Sequence, residues 1–285
     1  MDWRHATGEL ALDRPRILGI VNVTPDSFSD GGRLATVDDA RRLIDSMIAD
    51  GADIIDIGGE STRPQGATPV SVDEELRRVI PVIEAMRRDH PRTPMSIDTV
   101  KSTVAHTALN AGASIVNDVS AFRLDSAMAR VCAEGGAGVV LMHSRGDVAD
   151  MATFAHANYG EDIVGEIVDE LTARVVEAER AGVPRESIVV DPGIGFSKRG
   201  DHSLATLGQL RRFEALGLPV LVGVSRKRFI GELTSVKQPD ARVAGTTGAN
   251  VAALDRGAML FRVHDVKSAR HALDVAWAIK QHESP

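Results

Sequence analysis

Polar side chains follow eight short apolar runs of this sequence, each at the point where the run ends. They are Asn22, Asp56 with Glu60, Asp98, Asn117, His143, Asp191, Ser225 with Arg226 and Lys227, and Arg262 with His264. One polar residue after a strand can simply meet water, but a polar residue after all eight runs is harder to explain in that way. If the runs are parallel strands of one barrel, their carboxyl ends converge on a single mouth. Carboxylates, amides and cations gathered there indicate a small-molecule site.

These side chains fall into two chemical kinds. Asp98, Asn117 and Asp191 suit the edge of a nitrogen heterocycle, because one carboxylate can accept hydrogen bonds from an amino group and a ring N–H together. The other kind is cationic and suits an anion such as phosphate or carboxylate. Its members are Arg63, Arg226, Lys227, Arg262 and His264.

Several catalytic signatures are missing from the sequence. It has no G-x-x-x-x-G-K-[ST] loop, no dinucleotide-binding G-x-G-x-x-G after a strand, no H-E-x-x-H and no paired C-x-x-C. The G-I-G within residues 191–196 fits a close turn better than a phosphate site. Ser27 and Ser61 lack a nearby His–Asp arrangement, so covalent catalysis has little support.

A repeated unit supplies the elements that must position these residues: a helical pattern, a turn with glycine, and an apolar run ending in a polar residue. The predicted strands lie at 17–23, 51–58, 94–98, 112–118, 136–143, 187–191, 217–225 and 257–264. The predicted helices lie at about 38–50, 72–89, 101–111, 125–135, 161–181, 203–216, 241–256 and 267–281. Eight strands alternating with eight helices predict an α/β protein with a single (β/α)8 TIM barrel. We expect one domain over residues 1–285, with its core at about 16–282. A doubly wound open sheet is the alternative.

Composition excludes several classes of protein. The formal net charge of -7 argues against a sequence-independent nucleic-acid binder, which needs a basic face. No run approaches 18 uninterrupted apolar residues, so we expect neither a membrane span nor a signal peptide. The single cysteine, Cys132, cannot form an intrachain disulfide and fits a reducing compartment. We therefore expect a cytoplasmic protein.

Eight stretches in chain order resemble bacterial dihydropteroate synthases, from about Ile17 to Val266. They are NVTPDSFSDGG at 22–32, DIGGESTRP at 56–64, SIDT at 96–99, NDVSA at 117–121, LMH at 141–143, DPGIGF at 191–196, SRKRFIG at 225–231 and RVHDV at 262–266. The resemblance implies a pterin-binding TIM-barrel transferase of folate biosynthesis. Such an enzyme condenses a dihydropterin-methyl diphosphate with 4-aminobenzoate, releases pyrophosphate, and is the target of sulfonamides.

The resemblance also implies a role for each matching residue. The pterin would be contacted by Asp98, Asn117, Asp191 and Lys227, with Arg262 stacked on it. The diphosphate would lie at Asn22, Arg262 and His264, with Mg²⁺ near Asn22 as cofactor. The aminobenzoate pocket would be formed by Thr62, Arg63, Pro64, Phe196, Ser225 and Lys227. The catalytic group would be Asp98, Lys227, Arg262 and His264, and the enzyme would be a homodimer built through its later helices.

The chain departs from the family pattern in three loops. Gln65 is inserted before Gly66, Ser197 replaces a glycine, and Ser144 follows the LMH stretch. These changes fall around the aminobenzoate side and affect expectations for second-substrate affinity and sulfonamide sensitivity more than for the reaction. The polar loop of residues 22–32 is predicted to be a flap over the substrates, because irregular loops of this length are often functional.

Two other functions use the same barrel. One is a pterin-binding protein without catalytic activity, and the other is a pterin methyltransferase of the corrinoid type. The intact Asn22, Arg262 and His264 speak against the first. The second has no use for a diphosphate site, so the segments NVTPDSF at 22–28 and RVHDV at 262–266 speak against it.

Overall fold

The computed structural model describes residues 2–24, 37–60 and 70–282. Its strands are β1 (Asp2–His5), β2 (Gly8–Ala11), β3 (Arg16–Asn22), β4 (Ile54–Gly58), β5 (Met95–Asp98), β6 (Ile115–Asp118), β7 (Gly138–Met142), β8 (Ile188–Asp191), β9 (Leu221–Val222) and β10 (Leu260–Val263). Its α-helices are α1 (Val37–Ala49), α2 (Val72–Asp89), α3 (Ser102–Ala111), α4 (Met128–Glu134), α5 (Ile163–Arg180), α6 (Gly200–Gly208), α7 (Arg228–Thr234), α8 (Val243–Asp255) and α9 (Val266–Lys280). Short 3₁₀ helices occupy Arg185–Ser187, Leu210–Leu216 and Pro239–Arg242.

The strands from β3 to β10 form one parallel sheet that closes on itself. Their order is β8-β7-β6-β5-β4-β3-β10-β9. A parallel bridge between Val190 and Val220 joins the two ends of this order. There the backbone N–H of Val190 donates to the carbonyl oxygen of Pro219 at 3.0 Å. The predicted (β/α)8 barrel is therefore confirmed, and the open-sheet alternative is wrong because an open sheet has two unpaired edges.

Three elements differ from those predicted. The hairpin of β1 and β2 precedes the barrel and was not predicted. Helix α7 follows Lys227 and was also missed, since its seven residues are too few for a periodic pattern. The segment predicted as one helix at 203–216 is divided into α6 and the 3₁₀ helix Leu210–Leu216.

Alternation along the strands separates the lumen of the barrel from the helix layer. The lower lumen is filled by aliphatic side chains from seven strands, namely Leu18, Ile54, Ile115, Val140, Val189, Leu221 and Leu260. Trp3 and Leu12 of the amino-terminal segment belong to the same cluster and close this end. The indole of Trp3 is fully buried and donates from Nε1 to the carbonyl oxygen of Ser187 at 2.9 Å. The lumen is thus sealed below and open only at the carboxyl ends of the strands.

The outward-facing strand residues pack against the helices in a second, larger core. This core contains residues from Ile17 to Leu273, so it runs around the whole barrel. In α1 the buried residues Ala40, Ile44 and Met47 recur at helical spacing and form one apolar stripe. Among the described residues, no helix combines the length and the apolar character needed to cross a bilayer.

Candidate active site

Arg262 lies at the centre of the barrel mouth. It is two residues beyond the buried Leu260 on β10, and this alternation turns its side chain into the lumen. Its Nε donates to Oδ2 of Asp56 at 2.6 Å, and its Nη2 donates to Oδ2 of Asp98 at 2.6 Å. One guanidinium therefore links carboxylates from β4 and β5 across the mouth.

The two acidic partners of Arg262 lie at different depths. Asp56 is fully buried, and its Oδ2 also accepts from Nδ2 of Asn117 at 3.4 Å. Asp98 is nearer the opening, where its side chain retains 13% exposure. Burial raises the pKa of Asp98 to about 7, although the Arg262 guanidinium opposes this rise. Asp98 can therefore exist in both protonation states near neutral pH.

Asp191 and Lys227 form the opposite wall of the lumen. Asp191 ends β8, and its Oδ1 accepts from the backbone N–H of Gly193 at 2.7 Å. Burial raises the pKa of Asp191, and the nearby Lys227 works against that rise. Burial lowers the pKa of Lys227 to about 8, with Asp191 opposing the change. A carboxylate and an ammonium thus share a region of low polarity, where their mutual attraction is stronger than in water.

Glycines leave room beside these charged groups. A Cβ added to Gly223 on the strand side would lie 3.8 Å from both Oδ2 of Asp191 and Cβ of Arg262. A Cβ added to Gly58 would lie 3.4 Å from Cβ of Asp98. Glycine at both positions therefore leaves strand backbone, without a side chain, directly beside the charged groups.

The loop after β8 brings an aromatic side chain to the mouth. Lys227 donates from Nζ to the carbonyl oxygen of Ile194 and lies 4.5 Å from the centre of the Phe196 ring. The glycine at 195 has a φ of 80° and its Cβ would lie 3.1 Å from Cδ of Lys227. A larger residue would push the lysine away, so the close turn predicted for the G-I-G segment has a definite use here.

His264 follows β10 and Asn22 ends the neighbouring strand β3, so both lie at the same mouth. The backbone N–H of His264 donates to Oγ of Ser225 at 3.1 Å, and its Nδ1 is 3.0 Å from the same hydroxyl. Ser225 therefore fixes the orientation of the imidazole. Asn22 ends β3, and its Oδ1 is 3.8 Å from the position of a Cβ on Gly58.

Most of the predicted site residues are therefore brought together at one mouth. They are Asn22, Asp98, Asn117, Asp191, Phe196, Ser225, Lys227, Arg262 and His264. Thr62, Arg63 and Pro64 lie outside the described residues, as does the greater part of the predicted flap at 22–32.

Two other polar residues from the sequence analysis, Arg226 and Glu60, have different surroundings from those expected. Arg226 points to Asp265 and Asp240, which accept from its guanidinium, so its charge is already neutralised. Glu60 accepts from Lys101 and from the N–H of Val70.

His143 faces the helix layer instead of the lumen. Its Nε2 is 3.0 Å from Oε2 of Glu170 on α5, and its Nδ1 is 2.8 Å from Nζ of Lys198. Alternation could have predicted this orientation, because His143 follows inward-facing Met142 by one residue.

Two features were missed in the sequence. The partnership of Asp56 with Arg262 could have been inferred from alternation, because Asp56 is two residues beyond the inward-facing Ile54. Lys198 is only 1% exposed, but a lysine after a loop carries no signal of burial.

Comparison with known proteins gives one consistent family. The model of the family described as pterin binding enzyme matches residues 18–264. The dihydropteroate synthase of Bacillus subtilis is 45% identical over 255 residues, which cover 90% of this chain and 85% of the relative. The structure of Xanthomonas albilineans dihydropteroate synthase with 4-aminobenzoic acid has a TM-score of 0.91 and 45% identity, with both chains fully covered. That of Yersinia pestis dihydropteroate synthase with a sulfonamide drug has a TM-score of 0.91 and 37% identity, covering 99% and 100% of the two chains. A charged barrel mouth and a match over most of the chain lead to the same result: the chain belongs to the pterin binding enzymes and, among them, to the dihydropteroate synthases.

Proposed function

We propose that the enzyme joins a dihydropterin-methyl diphosphate to 4-aminobenzoate, forming dihydropteroate and pyrophosphate in folate biosynthesis. The observation that carries this proposal is the placement of Arg262 between Asp56 and Asp98, opposite Asp191 and Lys227. A lumen lined in this way presents acceptors and cations to one flat, polar ring. The dihydropteroate synthases named above supply the identity of that ring.

The pterin is proposed to lie in the upper lumen, between these charged side chains. Its amino group and ring N–H groups match the carboxylates of Asp98 and Asp191 and the amide of Asn117. Arg262 presents the face of its guanidinium as well as its N–H groups, and such a plane stacks well on a heterocycle. Because these side chains come from four different strands, the rigid barrel holds them in place before substrate binds.

The diphosphate is proposed to lie above the pterin, at Asn22, Arg262 and His264. The carboxamide oxygen of Asn22 is a hard donor of the kind that Mg²⁺ accepts. Among residues 2–24, 37–60 and 70–282 there is no cluster of three or more carboxylate, imidazole or thiol groups that could hold a metal ion. Asn22 therefore fits a Mg²⁺ ion that takes its other ligands from substrate oxygens and water, which is usual for Mg²⁺. When bound, Mg²⁺ would neutralise charge on the departing diphosphate.

The reaction is proposed to begin with cleavage of the C–O bond to the diphosphate. Positive charge then develops on the pterin methylene, and the carboxylate of Asp98 stabilises it, while Arg262 and His264 stabilise the negative leaving group. The amine of 4-aminobenzoate attacks the methylene, forms the C–N bond and loses one proton. Lys227 and the ring of Phe196 orient this second substrate, which makes attack effectively intramolecular.

A product assay tests the proposal directly. Purified protein should form dihydropteroate, detected by mass spectrometry, only when both substrates and Mg²⁺ are present. A sulfonamide should reduce the yield by competing with 4-aminobenzoate. Binding of the pterin diphosphate without product would instead indicate a pterin-binding protein that lacks catalysis, and transfer of a methyl group would indicate a methyltransferase.

We also propose that the enzyme is a cytoplasmic homodimer of single-domain chains. Helices α7 and α9 both pack against α8, and they expose Leu233, Val275 and Ile279, each at 63%. A second copy of the chain would cover this apolar face. Light scattering should give the mass of a dimer, and Val275→Glu should reduce it to that of a monomer. The control is Val176→Glu on α5, which should leave the mass unchanged.

A further inference from the structure

The loop after β8 has an irregular backbone. Gly193, Gly195 and Ser197 all have positive φ, at 68°, 80° and 48°. Backbone of this kind makes no regular ladder, so its carbonyl groups need other partners. The loop also packs tightly, because a Cβ on Gly193 would lie 1.9 Å from the carbonyl oxygen of His143. Within the loop, the N–H of Phe196 donates to the carbonyl oxygen of Gly193 at 3.0 Å, and side-chain donors add to this bond.

Lys198, near the end of the same loop, folds its side chain back and supplies two further contacts. Its Nζ donates to the carbonyl oxygens of Gly193 at 3.2 Å and Phe196 at 3.1 Å. The third donor of the ammonium is directed to Nδ1 of His143 at 2.8 Å. All three donors are thus used inside the protein, and two of them act on the loop.

Burial of the Lys198 side chain carries a large desolvation cost. The side chain is 1% exposed, and lysine is almost never buried to that degree unless it is paired. Its partner His143 stays neutral, since burial and then the Lys198 charge lower the pKa of His143 to about 4. A neutral imidazole that accepts at Nδ1 donates from Nε2, so Nε2 of His143 donates to Oε2 of Glu170. Burial lowers the pKa of Lys198 well below its usual range, and Asp191 is the carboxylate that opposes this shift most.

Lys227 holds the same loop from the barrel mouth. It donates to the carbonyl of Ile194, which lies between the two carbonyls that Lys198 binds. It also lies against the ring of Phe196, whose own carbonyl is bound by Lys198. The ring and its backbone are therefore fixed by two different lysines, and only Lys227 faces the substrates.

We propose that Lys198 is a positioning residue for the second substrate: by binding the carbonyls of Gly193 and Phe196 it sets the Phe196 ring against which 4-aminobenzoate packs. The inference rests on the proposed function for the identity of that substrate. Among the proposed pterin groups, Asp98, Asn117 and Arg262 belong to strands that Lys198 does not touch. Asp191 adjoins the loop but is held on β8 by its pairing with β7, so the larger effect should fall on the second substrate.

Steady-state kinetics of Lys198→Met test the proposal. Methionine keeps the apolar stem and removes the donors, so the KM for 4-aminobenzoate should rise about tenfold while the KM for the pterin diphosphate stays within about twofold. The control is Arg270→Met, which removes another buried cation, one bound to Asp53 and the carbonyl of Pro15. This control should lower the melting temperature and leave both KM values within about twofold. Equal rises in the two KM values, or kinetics like those of the control, would overturn the proposal.

A matched pair at His143 keeps the test open if Lys198→Met fails to fold. The side-chain oxygen of asparagine can take the place of Nδ1 and keep the contact with Lys198, whereas glutamine reaches the position of Nε2 and loses it. His143→Gln should therefore raise the KM for 4-aminobenzoate more than His143→Asn does. The reverse order would contradict the role of Lys198.

Hydrogen exchange separates this inference from the proposed function. The amides of Gly193, Phe196 and Ser197 donate to Asp191, Gly193 and Met151. In protein without substrates, Lys198→Met or His143→Gln should speed exchange at these amides, whereas Arg270→Met should not. Unchanged exchange in both loop variants would overturn the inference, whether or not the wild type forms dihydropteroate. A wild type without product, but with faster exchange in the variants, would overturn only the proposed function.

Discussion

Asp98 should make the folded protein less stable at high pH, and Asp98→Asn should remove this effect. Burial raises the pKa of the carboxyl to about 7 in the folded protein, compared with an ordinary value of 3.8. Between these two values the folded protein retains a proton that the unfolded chain releases. Stability is therefore gained as the pH falls through this window and lost as the pH rises through it.

The gap between the two values sets the magnitude. At about 1.4 kcal/mol per pH unit, the difference between 3.8 and about 7 corresponds to about 4 kcal/mol when the carboxyl is fully ionised. Asparagine resembles the neutral carboxyl in shape and does not titrate. Asp98→Asn should therefore match the wild type near pH 4 and exceed its free energy of unfolding by up to about 4 kcal/mol at pH 8.

Denaturant unfolding at pH 4, 6 and 8 measures this difference, and turnover is measured on the same samples. Turnover should fall sharply in Asp98→Asn, because the variant cannot supply the negative charge that stabilises the pterin methylene. Asp162→Asn is a control of opposite sign. Hydrogen bonds from Arg212 and from the N–H of Gly165 lower the pKa of Asp162 to about 2, so its loss should reduce stability at neutral pH. A stability difference for Asp98→Asn that is the same at pH 4 and pH 8 would refute the argument from burial, and undiminished turnover would refute the catalytic role.

Three further changes have definite expected outcomes. The value of kcat/KM should decline above pH about 8 as Lys227 loses its proton, and Lys227→Arg should move this decline upward; an unchanged pH profile would remove Lys227 from the mechanism. Arg262→Met should lower the free energy of unfolding at pH 8 by about 3 kcal/mol, because Asp56 and Asp98 lose their shared cation; an increase in denaturant resistance would contradict that balance. Trp3→Ala should lower the free energy of unfolding by about 3–5 kcal/mol, because it opens the lower end of the lumen, and should leave the KM values of the folded protein unchanged. Altered KM values would show that the two ends of the barrel are coupled.

The barrel could be predicted from the sequence because its strands and most of its helices repeat one pattern. The polar residue after each apolar run locates the mouth, and Asp98, Asn117, Asp191 and Arg262 all lie there. The hairpin of β1 and β2 could not be predicted in this way, since it occurs once and its burial depends on the lumen that it closes. Helix α7 was missed for a similar reason, because seven residues form too few turns to show a period.

Side-chain partnerships were harder to predict than positions. Arg226 and Lys227 are adjacent cations in the sequence, but a φ of 59° at Arg226 turns its side chain to Asp265 while Lys227 faces the substrates. Lys198 shows the same limit, because its burial depends on the fold of a loop that has no periodicity. Such contacts join residues that are far apart in the chain, and no local pattern encodes them.

The site divides between strands and loops, and this division has an evolutionary consequence. The charged lumen is built by strand residues whose backbones are paired on both sides, so a substitution there disturbs the barrel as well as the ligand. The wall formed by Phe196 rests on a loop held by a few side chains, and the unusual Ser197 lies in that loop. Selection by an inhibitor that imitates the second substrate can therefore change loop sequences while the strand residues proposed to bind the pterin stay the same. Resistance and loss of function should consequently arise at different positions of the same mouth.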